Sequence, residues 1–167
     1  MQQNNFLNNA FLHHLSIQCA DPKSLSSFYS ETLGMKSKQI HHQEKTKWLC
    51  FGNDRRIIFS HGKKKNLDFA AFSLKDEKSL INFKNILTNK KVSISDYETP
   101  FFMQGSFGVK DPDNNLIIFG ISEINKGIAL SSTYSDYIYG PLQHLTFKSK
   151  DVERFENFYR EKLGFFV

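Results

Sequence analysis

Along residues 11–123, a stretch in which apolar and polar residues alternate is followed by a stretch in which apolar residues have helical spacing. This order of patterns occurs twice. Alternation predicts strands at HLSIQC, MKSKQIHH, KWLCF and RRIIFS in the first half, and at FAAFSL, KVSISDY, FMQGSFGVK and NNLIIFGIS in the second. A helix is predicted after the first strand of each half. In the first half its apolar stripe consists of Leu25, Phe28, Tyr29 and Leu33. The order strand–helix–strand–strand–strand occurs twice, which predicts an α+β fold.

Three segments of the chain repeat one another. Residues 12–35, moved forward by 130 positions, meet nine identical residues in the 24 positions of 142–165. A weaker copy appears when the shift is 55 positions, which aligns DPKSLSSF with DEKSLINF and places His14 on Phe69. Repeats of this kind indicate one folding unit used several times. The units begin near residues 11, 66 and 141, and residues 124–140 read as a connector.

The predicted helices have clear ends. Asp21, Asp76 and Asp151 each stand where a side-chain oxygen can accept a free backbone N–H of the first helical turn. Gly34 and Gly164 stand where a left-handed residue can end the first and third helices. We therefore expect the third segment to begin like the first, with a strand over 142–149 followed by a helix over 152–163.

The signatures LHHLSI…FYSETLGM, LDFAAFSL, DPDNNLIIF and LQHLTF…FYREKLGF resemble the vicinal oxygen chelate superfamily, which includes glyoxalase I, bleomycin-resistance proteins and extradiol ring-cleaving dioxygenases. The arrangement is most similar to a two-domain extradiol dioxygenase, in which each domain contains two βαβββ modules. The resemblance implies tandem modules that form a cupped mixed sheet. It also implies a non-catalytic N-terminal domain at 1–123, a linker at 124–140, and the first strand and helix of a catalytic domain at 141–167.

The resemblance also implies the chemistry. These dioxygenases hold a mononuclear Fe(II), sometimes Mn(II), with two His and one carboxylate, and the metal's open positions take a catechol-type diol and O2. In the N-terminal domain the corresponding positions are His14, Phe69 and Ile118, so we expect no metal there. His144 stands at the first ligand position of the second domain. The other two ligands would lie beyond Val167, so we expect this chain to be inactive by itself.

Two other functions stay open. One is a metal-free module that binds a small aromatic or amphiphilic molecule, as bleomycin-resistance proteins do. The other is a glyoxalase-like isomerase, which Ile118 disfavours because it cannot supply a carboxylate ligand. In either case the apolar face of residues 142–163 needs a cover, so we expect it to dock on the N-terminal domain or to form a homo-oligomer.

Candidate residues outside this set have simpler explanations. His13 neighbours His14 on a strand and is expected to point to the opposite face, so the two should not chelate together. Asp111 and Asp113 are explained by the DPDNN turn. We expect Trp48 and the pair Phe101–Phe102 to be core residues.

Composition narrows the possible partners and location. The net charge is +5 and the pI is about 9.1, but the lysine runs fall in predicted turns, which indicates solvated loops and no nucleic-acid partner. The sequence has neither a signal-peptide pattern nor an apolar run long enough to cross a bilayer, so no membrane partner is expected. Cys19 and Cys50 lie in predicted strands as reduced packing residues, which favours a cytoplasmic protein.

Overall fold

The computed structural model of the protein describes residue 7 and residues 10–52, 55–63, 66–122 and 142–165. Two βαβββ modules follow each other, as predicted. The first consists of β1 (Phe11–Cys19), α1 (Pro22–Leu33), β2 (Lys36–His42), β3 (Lys45–Gly52) and β4 (Arg55–His61). The second consists of β5 (Asn66–Ser73), α2 (Glu77–Asn89), β6 (Ile94–Asp96), β7 (Phe107–Lys110) and β8 (Leu116–Gly120). A further helix, α3 (Val152–Asn157), continues as a π-helical segment over Phe158–Leu163.

The chain divides into two compact units that follow the modules. The first-module unit comprises Leu12–Ala70 and Ile124–His144, and the second-module unit comprises Met1–Phe11, Ala71–Glu123 and Leu145–Val167. The predicted linker at 124–140 lies outside the described residues. The domain boundaries expected from the resemblance stay a prediction.

The first-module unit is a sheet with one face covered by α1. Its strand order is β2-β3-β4-β1-β5, where β5 contributes residues 66–70. Strand β3 pairs antiparallel with β2 and β4, and β1 pairs parallel with β4. The core between helix and sheet contains Cys19, Met35, Cys50, Ile57 and Phe59. Both cysteines are free and buried, as predicted.

Helix α1 begins and ends where the local signals indicate. The carboxylate of Asp21 accepts the backbone N–H of Ser24 at 3.0 Å, and Gly34 ends the helix with φ of 64°. Leu25, Tyr29 and Leu33 pack against the core as expected. The prediction for Phe28 was wrong, because its side chain is 54% exposed. At 100° per residue, position 28 lies at the edge of the stripe that positions 25, 29 and 33 form.

The second-module unit packs α2 against aromatic residues of its sheet. Its strand order is β5-β8-β7-β6, with β7 antiparallel to both neighbours. The Phe83 ring of α2 lies 4.9 Å from the Phe119 ring and 6.2 Å from the Phe107 ring, centroid to centroid. The predicted cap Asp76 accepts the N–H of Ser79 at 2.8 Å. Phe101 and Phe102 are buried core residues, as expected.

The C-terminal helix docks within the second-module unit. Its predicted cap, Asp151, accepts the N–H of Arg154 at 3.0 Å, and Gly164 ends it with φ of 81°. The Phe165 ring packs on Phe72 with 5.2 Å between centroids. This contact confirms the predicted docking of the helix. Residues 142–149, where a strand was predicted, are described but form no hydrogen-bonded strand, so that prediction was wrong.

Helices of the described ranges are all too short or too polar to cross a lipid bilayer.

Candidate functional site

The residues at the expected ligand positions of the N-terminal domain are buried, and two of the three have no donor atom. His14 and Phe69 lie in the first-module unit, where their rings meet edge to face with centroids 5.6 Å apart. Ile118 is fully buried in β8 of the second-module unit, opposite Gly108 of β7. Phenyl and alkyl side chains do not coordinate cations. Among the described residues, no three His, Cys, Asp or Glu side chains come together as a metal site.

The side chains of His13 and His14 meet, which corrects the expectation that they point apart. Their Nδ1 atoms are 2.9 Å apart, their ring centroids are 5.1 Å apart, and both residues are buried. Leu12, His13 and His14 are three successive buried residues, so both faces of β1 are covered at this point. On this strand, the alternation of side-chain directions therefore does not make one histidine buried and its neighbour exposed.

The contact between the two histidine rings requires a proton on one of the two Nδ1 atoms and not on both. A contact between two Nδ1 atoms requires one ring to donate an N–H and the other to present a lone pair, so an added proton on the acceptor breaks the bond. Burial and the nearby Arg56 guanidinium lower the pKa of His13 to about 3. Burial, His13 and Arg56 also hold the pKa of His14 well below its usual value. Both rings are therefore neutral at physiological pH.

A row of polar side chains crosses the first-module sheet on the face opposite α1. Lys47 of β3 is paired with Ser60 of β4, and Ser60 is paired with Gln18 of β1. Residues paired across strands share a face, so the three side chains form one row. Lys47 and Ser60 are each only 7% exposed. The next row on this face contains the fully buried side chains of Leu49, Ile58 and Ser16.

Asp68 of β5 extends the polar row. Its two carboxylate oxygens accept one hydrogen bond each, from the Ser16 hydroxyl and from the Gln18 amide, both at 3.1 Å. Sequence reasoning missed this row. The available signal was the alternation in HLSIQC, which places His14, Ser16 and Gln18 on one face and Leu15, Ile17 and Cys19 on the other.

His144, the predicted metal ligand, is an exposed residue of the segment before α3. No carboxylate or second imidazole joins it in a metal-binding group within the described ranges. The structure therefore places His144 on the surface, and its assignment as a ligand stays a prediction.

The DPDNN turn is a hydrogen-bonded turn, as predicted, and it also anchors the C-terminal helix. One oxygen of Asp111 accepts the backbone N–H groups of Asp113 and Asn115 at 2.9 and 2.8 Å. The other oxygen accepts the Tyr159 hydroxyl at 3.0 Å. Burial and the Asp111 carboxylate raise the pKa of Tyr159, so its hydroxyl remains a donor. The anchor depends on a contact distant in sequence, which no local pattern reveals.

An open groove of about 740 Å³ runs beside the C-terminal helix. Its walls carry charges of both signs, from Lys110, Asp151, Glu153, Arg154, Glu161 and Lys162 among others. Arg154 donates to the carbonyl of Pro112 at 3.2 Å, so part of the positive charge is already engaged. Mixed charge and an open shape give this groove no evident ligand preference.

Comparison with known proteins points to one family. The model of the Glyoxalase/Bleomycin resistance protein/Dioxygenase superfamily matches residues 11–119. A search of curated proteins finds no match.

Similar solved structures include ring-cleaving dioxygenases. BphC, a halotolerant catechol dioxygenase, superposes with a TM-score of 0.71 at 18% identity. The superposition covers 93% of this chain and 55% of the BphC chain. A catechol 2,3-dioxygenase gives 0.70 at 16% identity, with coverages of 92% and 54%. An extradiol ring-cleaving dioxygenase from B. fuscum gives 0.73 at 16% identity, with coverages of 93% and 45%. The chain thus spans about half the length of these proteins, and at this identity the similarity establishes the fold.

Proposed function

Because the chain belongs to the Glyoxalase/Bleomycin resistance protein/Dioxygenase superfamily, we propose that it is the N-terminal part of an extradiol dioxygenase. The parent enzyme would cleave catechol-type rings with O2 at a mononuclear Fe(II), or Mn(II). The observation that carries the proposal is the similarity to three such dioxygenases over more than nine-tenths of this chain but only about half of theirs. The reappearance of the opening motif at residue 142 supports it.

Within this proposal, the two modules serve as a folded scaffold and do not carry the metal. The residues at the ligand positions of the modules, His14, Phe69 and Ile118, do not fit a cation. His144 would supply one imidazole to the metal, and the remaining ligands would come from residues outside this sequence. The iron would bind the diol and O2 in the parent, whereas the chain's own contribution would be to hold the start of the second domain through Tyr159 and Asp111.

Ring cleavage tests the proposal directly. The reading frame is expressed beyond codon 167 and incubated with catechol and Fe(II), and the yellow ring-fission product is followed by absorbance. We expect product from the longer protein, none from the 167-residue chain, and loss of activity in His144→Ala. The matched control, His41→Ala, changes an exposed histidine of β2 and should keep activity. A downstream frame without a second His and a Glu in module positions would contradict the proposal.

A metal-free small-molecule-binding module is the second candidate. The buried polar row around Lys47 favours it, because such a row offers a ligand both charge and hydrogen-bond donors. A glyoxalase-like isomerase has less support, since Ile118 lies in the core where that activity needs a ligand. For all three functions we propose a cytoplasmic protein that forms a homo-oligomer and binds no nucleic acid.

A further inference from the structure

The C-terminal ends of two helices lie against each other in the second-module unit. Helix α2 ends at its cap Lys90, and the π-helical segment that continues α3 ends at its cap Gly164. A helix C-terminus carries partial negative charge and backbone carbonyls that have no partner within the helix. Two such ends repel each other, so positive charge and N–H donors are needed where they meet.

Lys90 supplies both to the end of the C-terminal helix. Backbone N–H groups past this helix end donate to the carbonyls of Tyr159 and Arg160. The next two carbonyls, of Glu161 and Lys162, instead accept hydrogen bonds from the Lys90 ammonium at 2.6 and 3.3 Å. A lysine ammonium has three N–H donors, so it can serve two carbonyls at once. Lys90 thus brings a positive charge and two hydrogen bonds to the helix end.

The end of α2 receives the same kind of contact from the C-terminal helix. The backbone carbonyl of Lys90 accepts a hydrogen bond from the Lys162 ammonium at 3.2 Å. Each lysine therefore donates to the helix end that carries the other lysine. The Glu161 carboxylate is engaged elsewhere, since Nε of Arg160 donates to it at 2.9 Å. Lys90 is half-buried and Lys162 is exposed, so water and salt can weaken both contacts.

We propose that Lys90 and Lys162 form a reciprocal latch, which holds the C-terminal helix on the second module and opens when either lysine loses its charge. An uncharged side chain at either position removes the cation between two negative helix ends. In the parent protein of the proposed function, the latch would tie the first helix of the second domain to the N-terminal domain. The latch itself does not depend on ring cleavage, because both lysines belong to the 167-residue chain. Its failure would leave the dioxygenase proposal intact.

Amide hydrogen exchange of the 167-residue chain, followed by NMR at constant pH, measures the opening of the C-terminal helix over residues 155–163. Lys90→Gln, Lys162→Gln and the double Gln variant remove the charge, whereas Lys90→Arg and Lys162→Arg keep it. The matched controls are Lys91→Gln and Lys148→Gln, which remove the charge of an exposed lysine near each latch residue in the sequence. Amide chemical shifts of the sheet strands check that each variant remains folded.

Each Gln variant should exchange about threefold to tenfold faster than wild type in the C-terminal helix, which is the effect of losing a hydrogen bond of ordinary net strength. The Arg variants and both controls should stay within about twofold of wild type. Salt at about 1 M should speed exchange more in wild type than in the double Gln variant, because salt screens only the charged latch. Unchanged exchange in the Gln variants, an equal increase in the Arg or control variants, or equal responses to salt would each overturn the proposal.

Discussion

The buried histidine pair predicts a steep loss of stability in mild acid. Both pKa values are lowered in the folded protein, that of His13 from 6.5 to about 3, so the unfolded chain binds more protons than the folded one below pH 6.5. The stability that the neutral histidine pair contributes is therefore fully present above about pH 6.5 and is lost as the pH falls toward 3. Between pH 7 and pH 5, His13 lowers the free energy of unfolding by about 2 kcal/mol, and His14 lowers it further in the same direction. Domains of this size have about 5–15 kcal/mol in total, so the effect is large.

Urea unfolding at pH 7 and pH 5 measures this effect. The double variant His13→Gln/His14→Gln keeps hydrogen-bonding groups but cannot titrate, so its unfolding free energy should fall by at least about 2 kcal/mol less than that of wild type. The carboxylates contribute equally to both proteins and cancel in the comparison. His41→Gln, which changes an exposed histidine, should behave like wild type. If wild type and the double variant lose the same free energy within about 1 kcal/mol, the assignment of a neutral buried pair is wrong.

Three further changes test the packing of the second-module unit. Tyr159→Phe removes the hydrogen bond to Asp111 and should cost about 1.5–3 kcal/mol and speed proteolysis after residue 142, whereas unchanged cleavage would contradict the docking of the helix. Asp76→Ala removes the cap of α2 and should lower the unfolding free energy by about 1 kcal/mol in urea titrations, and no loss would contradict the cap. Phe83→Ala should cost about 3–5 kcal/mol by the same measurement. The control Ile81→Ala changes an exposed neighbour on the helix, and an equal cost there would contradict the assigned faces.

Local signals explain how much of the fold could be predicted. The strand–helix–strand–strand–strand order and the caps Asp21, Asp76 and Asp151 depend on residues close together in sequence, and the structure confirms them. A cap needs only one side chain and the N–H three residues later, so sequence spacing is sufficient to identify it.

Features that depend on distant partners could not be predicted in the same way. The apolar alternation of 142–149 was sufficient to predict a strand, but a strand needs a neighbour for its backbone groups, and alternation does not supply one. Alternation also gave the wrong arrangement for His13, because Leu12, His13 and His14 are all buried and alternation alone does not show which faces of β1 are covered. The row containing Lys47 and Ser60 depends on the register of separate strands, and the Tyr159–Asp111 bond joins two elements 48 residues apart.

The site could be predicted only in part. The repeat and the family resemblance identified Phe69 and Ile118 as residues that cannot bind a metal. The structure places both in the core. The role of His144 remains a prediction because the residues expected to join it are not in this sequence.

Iron stoichiometry tests the central claim, that the metal site belongs to the second domain and not to the two modules. Iron is measured per chain after anaerobic reconstitution and desalting, for the 167-residue chain, the protein extended beyond residue 167, and the His14→Ala and His144→Ala variants of the extended protein. We predict about one iron in the extended protein and in its His14→Ala variant, and none in the 167-residue chain or in His144→Ala. Stoichiometric iron in the 167-residue chain, or its loss from the extended protein with His14→Ala alone, would contradict the claim.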